Sequence, residues 1–251
     1  MSQLESNLIH HIITDKNTLT QILKSLATVQ EKIVTISLDP EGIHFRSMDK
    51  DHVSLIDIGL PETIFERYEV KTKSQVSFII KDFMNIVKSL DKKRSISLEI
   101  TSNKMTITQN DTSMNLNLLN IADYSECPLP HLNYDAQIKI NGKILKEIIK
   151  KASSVGDYIK IQSDYDKITL NSKGDSGSYH QVIPKEDLIE IRVREDTQTT
   201  YSIEYLKEFI KCIENDYPIS LEYSSRKPCR LSTTVNNLGR VHYYLAPRVE
   251  N

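Results

Sequence analysis

The chain has 251 residues, of which 39% are hydrophobic and 26% charged, with a formal net charge of −2. That length suits one large domain or two ordinary ones, and the balance suits a soluble particle with a real core rather than a uniformly basic nucleic-acid binder. No run of about 18 apolar residues suggests a membrane span, no signal peptide is expected at the N-terminus, and the odd set Cys127, Cys212 and Cys229, without a CxxC pair, points to a reducing, intracellular setting.

Residues 7–14 alternate and predict a strand, followed by a helix from about Lys16. Segments 32–38, 42–48 and 52–60 read as strands, with Asp39-Pro40-Glu41-Gly42 as a turn between the first two. A second unit repeats this: strand 74–80, helix 81–90, and strands 95–101, 104–109 and 113–119. Residues 120–134 break the pattern, because Pro128 and Pro130 forbid helix and central strand alike. The third unit is strand 136–141, helix 143–152, and strands 158–163, 167–172 and 177–183, with Gly142 turning the chain out of the strand just before the helix. The charged segment 184–197 reads as a connection. The fourth unit is strand 199–203, helix 204–213, and strands 218–224, 228–235 and 240–245. The expectation is an α+β fold of two similar domains, 1–119 and 135–251, joined by a connector at 120–134, each domain holding two strand–helix–three-strand units.

The helices share a template. Leu19, Ile22, Leu23 and Leu26 fall at i, i+3, i+4 and i+7, as do Phe83, Ile86, Val87 and Leu90, then Leu145, Ile148, Ile149 and Ala152, then Leu206, Phe209, Ile210 and Ile213. The first members are 64, 62 and 61 residues apart, a fourfold internal repeat. Five positions past each first member stands a lysine: Lys24, Lys88, Lys150 and Lys211. At about 100° per residue that position lies roughly opposite the apolar stripe. A solvated helix back explains any one of these lysines; four in register suggest a shared basic face. The windows 16–27, 81–90, 143–152 and 204–213 carry +2, +1, +3 and 0, so the rest of the chain is net acidic. Such a molecule meets a polyanion with one face only. Subunits joined head to tail through exposed strand edges into a closed ring would use all the repeats together.

A catalytic reading has little support. Asp49, Asp51 and His52 are the nearest approach to a metal site, and a tight turn accounts for them. His10, His11, His44, His131, His180 and His242 lack metal-ligand spacing, and no Gly-rich phosphate loop exists. No catalytic residue, metal or cofactor is expected. A metal-dependent nucleic-acid enzyme stands as the runner-up, and an interaction scaffold as a third reading.

Three stretches then carry a resemblance: EGIHFRSMDKDHVSLIDIGL at 41–60, the segment from Gly142 to Asp157, and YYLAPRVEN at 243–251. Together they resemble the proliferating cell nuclear antigen family of sliding clamps, in an archaeal-like form. The resemblance implies three two-domain subunits per ring, helices lining the hole and sheets outside. It implies that Lys24, Lys88, Lys150 and Lys211, with Lys81, Lys146 and Lys207, face duplex DNA without reading its sequence. It implies a partner pocket at Met48, His52, Leu55, Leu129, Pro130, Pro228, Tyr244, Ala246 and Pro247, into which DNA polymerase, clamp loader, flap endonuclease and DNA ligase insert short peptide motifs. It implies a subunit joint between Ser113, Asn115 and Asn117 of one copy and Ser178, His180 and Val182 of the next, with a homotrimer preferred to a heterotrimer. The resemblance implies no enzymatic activity, and a place with chromosomal DNA, in the cytoplasm of an archaeon or the nucleus of a eukaryote.

Overall fold

The computed structural model describes residues 10–29, 31–121, 127–214 and 217–249. In chain order its first half contains β1 (His10–Thr14), α1 (Lys16–Leu26), β2 (Ile33–Asp39), β3 (Gly42–Met48), β4 (Ser54–Pro61), β5 (Arg67–Val70), β6 (Ser74–Ile79), α2 (Ile80–Ser89), β7 (Ile96–Ile100), β8 (Lys104–Gln109) and β9 (Thr112–Asn117). The second half contains β10 (Ala136–Asn141), α3 (Gly142–Ala152), β11 (Tyr158–Ser163), β12 (Lys167–Gly174), β13 (Gly177–Pro184), β14 (Glu190–Val193), β15 (Thr197–Ser202), α4 (Ile203–Ile210), β16 (Pro218–Tyr223), β17 (Cys229–Val235) and β18 (Gly239–Leu245).

The chain packs as two units. One comprises residues up to Ser47 with Asp57–Cys127 and Thr234–Val241; the other comprises Met48–Ile56, Pro128–Thr233 and the residues from His242 on. In the first unit, β5-β1-β7-β8-β9 form an antiparallel sheet, and β3, β2 and β6 pair antiparallel in a second layer. In the second unit the same orders recur, with β14-β10-β16-β17 in one sheet and β13-β12-β11-β15 in the other.

Local chemistry starts and stops these elements. The Asp15 carboxylate accepts the N–H groups of Asn17 at 2.8 Å and Thr18 at 3.0 Å and so caps α1. Asn141 caps α3 in the same way, accepting the Lys143 N–H at 2.9 Å. In the turn between β2 and β3, Asp39 accepts the N–H groups of Glu41 at 2.9 Å and Gly42 at 3.1 Å.

The helical stripes face the cores. Leu19, Ile22, Leu23 and Leu26 are all buried, as are Leu145, Ile148, Ile149 and Ala152. In α2 and α4 one stripe member, Ile86 or Ile210, is only half-buried. In the first unit Phe78 of β6 meets Phe83 of α2 edge-on, with ring centroids 5.4 Å apart. In the second, both sheets and both helices line one small apolar void of about 20 Å3, through residues such as Ile138, Ile161, Leu221, Ile148 and Phe209.

Four features differ from the sequence expectation. The units carry an additional strand: β5 pairs with β1 and β14 with β10, so segment 184–197 is not merely a connection. Both strands are four residues long and rich in charge, as edge strands often are, and only pairing makes them strands. Helix α4 ends at Ile210, short of the expected 213. Gly142 lies inside the first turn of α3 rather than before it, and a Cβ there would stand 2.8 Å from the Glu214 carbonyl and 2.9 Å from that of Tyr217. Glycine is needed for close approach. Strand β9 stops at Asn117, and the first three residues of the expected strand 7–14 lie outside the described residues. Among the described residues no helix is long and apolar enough to cross a membrane.

The first unit also buries an imidazole. His10 is 1% exposed, its Nε2 lies 2.5 Å from the Ser74 hydroxyl, and its Nδ1 has no partner among the described residues. Burial pushes its pKa below the ordinary 6.5, because the charged ring loses its hydration. The unfolded chain therefore takes the proton first, and this contribution to stability is present above the unfolded pKa and lost as pH falls from 6.5 toward the lower folded value. The melting temperature of the His10→Gln variant should accordingly fall less than that of the parent between pH 7.5 and pH 5; equal slopes in the two proteins would contradict this role.

Candidate DNA-facing and partner-binding surfaces

Each of the four helices carries a lysine in its last turn: Lys24 in α1, Lys88 in α2, Lys150 in α3 and Lys207 in α4. All four are exposed, as is Lys81 in the first turn of α2. A cation there interacts favourably with the negative end of the helix, which gives the recurrence a local cause beside any ligand. The other two lysines from the predicted set are engaged. Lys211 follows the end of α4 and is paired with Glu208 at 2.5 Å. Lys146 is half-buried and donates to the Ile213 carbonyl at 2.5 Å. Lys16 plays the matching part in the first unit, donating to the Lys88 carbonyl at 2.9 Å and also to that of Leu90. Thus in each unit a lysine of the first helix satisfies carbonyls left open at the end of the second.

The predicted pocket residues all fall in the second unit. Met48 closes β3 and is half-buried; the turn after it is built on Asp49. The Asp49 carboxylate accepts N–H groups from Asp51 at 3.2 Å and Val53 at 2.9 Å, further groups from Ser54, and the Tyr205 hydroxyl at 3.3 Å. Asp49 is thus engaged as a turn cap, and among the described residues no group of three or more His, Cys, Asp or Glu side chains converges as metal ligands do. His52 is exposed at φ 57°, the left-handed position of that turn, and its N–H donates to the Asp49 carbonyl at 3.0 Å. The Ala246 N–H donates to the Val53 carbonyl at 2.9 Å, which brings the end of β18 to the same turn. Leu55 and Tyr244 are buried, whereas Leu129, Pro130, Pro228, Ala246 and Pro247 are half-buried.

Sequence reasoning missed an anchor within the connector. In the first unit Asp57 is buried between two guanidinium groups, Arg46 at 2.9 Å and Arg240 at 3.0 Å, and Arg46 also donates to the Cys127 carbonyl at 3.3 Å. An aspartate inside the apolar run Ile56-Asp57-Ile58 is the signal, since a buried carboxylate demands cationic partners.

The predicted joint residues lie on two sheet edges. Ser113, Asn115 and Asn117 are exposed and alternate along β9, the edge of its sheet; Ser178, His180 and Val182 do the same along β13. Ser113 and Asn115 are tied back across the sheet, Asn115 accepting the Thr106 hydroxyl at 2.9 Å, and His180 bonds Asn171 at 2.7 Å.

The N-terminal domain model of proliferating cell nuclear antigen matches residues 12–126, and the C-terminal domain model matches 128–248. The chain belongs to the proliferating cell nuclear antigen family. It is 35% identical over 237 residues to the DNA polymerase sliding clamp of Nitrosopumilus maritimus, covering 93% of this chain and 95% of that one. It is 32% identical over 215 residues to the sliding clamp of Thermococcus gammatolerans, covering 84% and 86%. Among solved structures, one described as the C-terminal region of FEN-1 bound to A. fulgidus PCNA superposes with a TM-score of 0.89 at 22% identity, over 96% of this chain and 99% of that one. A PCNA2–PCNA3 complex from Sulfolobus tokodaii superposes with a TM-score of 0.85 at 23% identity, over 96% and 100%. The two-domain α+β clamp fold is shared with both solved structures.

The lysine geometry separates two roles within this clamp fold. Lys146→Ala should lower stability by about 1–2 kcal/mol, because a half-buried carbonyl loses a charged donor. Lys150→Ala should stay within about 0.5 kcal/mol of the parent. Denaturant melts of both variants check this, and equal losses would contradict it.

Proposed function

We propose that this chain is a ring-forming clamp that encircles duplex DNA and tethers DNA polymerase and other replication and repair proteins to it. The observation that carries the reading is the combination, in one sliding-clamp family member, of exposed lysines at the helix ends with two open sheet edges. Ammonium groups meet phosphates as point charges and read no sequence, so the contacts suit a part that slides. Of the predicted lysines, Lys24, Lys81, Lys88, Lys150 and Lys207 are exposed and have no ion-pair partner among the described residues, and they carry this role. Lys146 and Lys211 are removed from it, being held by Ile213 and Glu208.

Edge strand β9 of one copy pairs with β13 of the next in this reading, extending a sheet across the joint. Three copies of the same chain close the ring. Polymerase, clamp loader, flap endonuclease and ligase bind through short peptides at Met48, Leu129, Pro130, Pro228, Tyr244, Ala246 and Pro247, where a methionine adapts its shape to different anchors. The rigid Asp49 turn and the Ala246–Val53 bond support this, because they fix two walls of the site before any peptide arrives.

A fluorescent peptide ending in two aromatic residues should bind the parent protein. Met48→Glu or Pro247→Asp should each reduce that binding at least about 100-fold, by placing a charge against apolar anchors. Retained affinity in both variants would remove the pocket from the account.

A further inference from the structure

Beside the proposed pocket, within the second unit, lies a groove of about 560 Å3 that shares Pro247 with it. Its floor is the edge strand β15. One wall is the C-terminal segment, tied down where the Arg248 N–H donates to the Thr200 carbonyl at 2.8 Å. The other is the turn at Ser225 and Arg226, held to β15 because the Ser225 hydroxyl bonds Thr197 at 2.9 Å and accepts the Gln198 N–H at 3.2 Å.

Three cations surround this floor. Lys160 of β11 stands directly across from Thr200 in the sheet, Arg226 projects from a backbone at φ 60°, and the Arg248 guanidinium lies 3.9 Å above the Tyr158 ring. Among the described residues no carboxylate lines the groove, and none of the three cations is paired with one. A non-glycine residue held in the left-handed region is strained, and the strain here aims a charge at the groove. Unpaired cations gathered around a preformed cleft are a surface awaiting an anion.

We propose that this groove receives an acidic stretch of the partner peptide, contiguous with the apolar anchors that fill the pocket. The inference rests on the partner-pocket reading and adds a charge preference to it. A cleft of this volume takes a few residues of extended chain and does not admit a duplex. Single-stranded nucleic acid would want open aromatic platforms, whereas among the described residues no aromatic ring lines the groove, and the Tyr158 ring is covered by Arg248. Carboxylates spaced along an extended peptide match three cations spaced around β15.

The test uses the full chain and two fluorescent peptides that share the two-aromatic anchor, one preceded by four glutamates and the other by four glutamines. At about 50 mM salt the acidic peptide should bind roughly 5- to 10-fold tighter, and the advantage should shrink as salt rises. In a Lys160→Gln, Arg226→Gly double variant the advantage should vanish while the glutamine peptide binds as before, which also shows that the variant is folded. Glycine suits the φ of 60° at position 226. Equal binding of the two peptides to the parent, or an advantage that persists in the variant, overturns the groove proposal and leaves the pocket standing. Failure of both peptides to bind overturns the pocket and the groove together. Displacement of the acidic peptide by a single-stranded oligonucleotide that itself needs Lys160 and Arg226 would assign the groove to nucleic acid and overturn the peptide.

Discussion

The burial of one apolar stripe on each of four short helices is the constraint on which the rest depends. The helices run from 8 to 11 residues, too short to persist alone in water. Each exists because side chains such as Leu23, Phe83, Ile148 and Phe209 leave water against a sheet, at about 1.5–3 kcal/mol apiece. Fixing one face of a helix toward the core fixes the opposite face outward. The lysines at the helix ends are therefore placed by the core, and their exposure is a consequence of packing rather than a separate feature.

The same economy appears at the helix ends and the sheet edges. Lys16 and Lys146 are spent on the open carbonyls of α2 and α4, which leaves Lys88, Lys150 and their neighbours to meet a ligand. Strands β9 and β13 end their sheets with alternating exposed side chains, almost all polar, so the edges resist indiscriminate association while keeping backbone groups for a specific partner. The turn built on Asp49 gives Met48 a fixed station beside the end of β18. Its buried carboxylate is engaged there by three backbone N–H groups and two hydroxyls.

Much of this was legible in the chain. The stripe spacing announced all four helices, and β10 and β11 match their expected ranges residue for residue. What the sequence hid were features that exist only through tertiary contact. Strands β5 and β14 are only four residues long, with charge at two positions each, so their alternation is too brief to mark them, and a neighbouring strand supplies their order. Past the early end of α4, the Ile213 carbonyl accepts the Lys146 ammonium from α3, a contact 67 residues distant in sequence. Among the site residues, composition alone could not divide free lysines from engaged ones. Lys150 and Lys146 lie one turn apart on α3, and only the approach of Ile213 separates them. The groove cations Lys160, Arg226 and Arg248 escaped notice because they come from three distant segments that meet only at β15.

The central claim is topological: closed rings of this chain are threaded by duplex DNA and held by linkage rather than by strong contact. The measurement that tests it most directly loads the protein, with its clamp loader and ATP, onto a nicked circular plasmid and passes the mixture over a sizing column at moderate salt, before and after the plasmid is cut once. The account predicts that protein co-elutes with the circle and is released when the same DNA becomes linear. Equal retention on circular and linear DNA would contradict it.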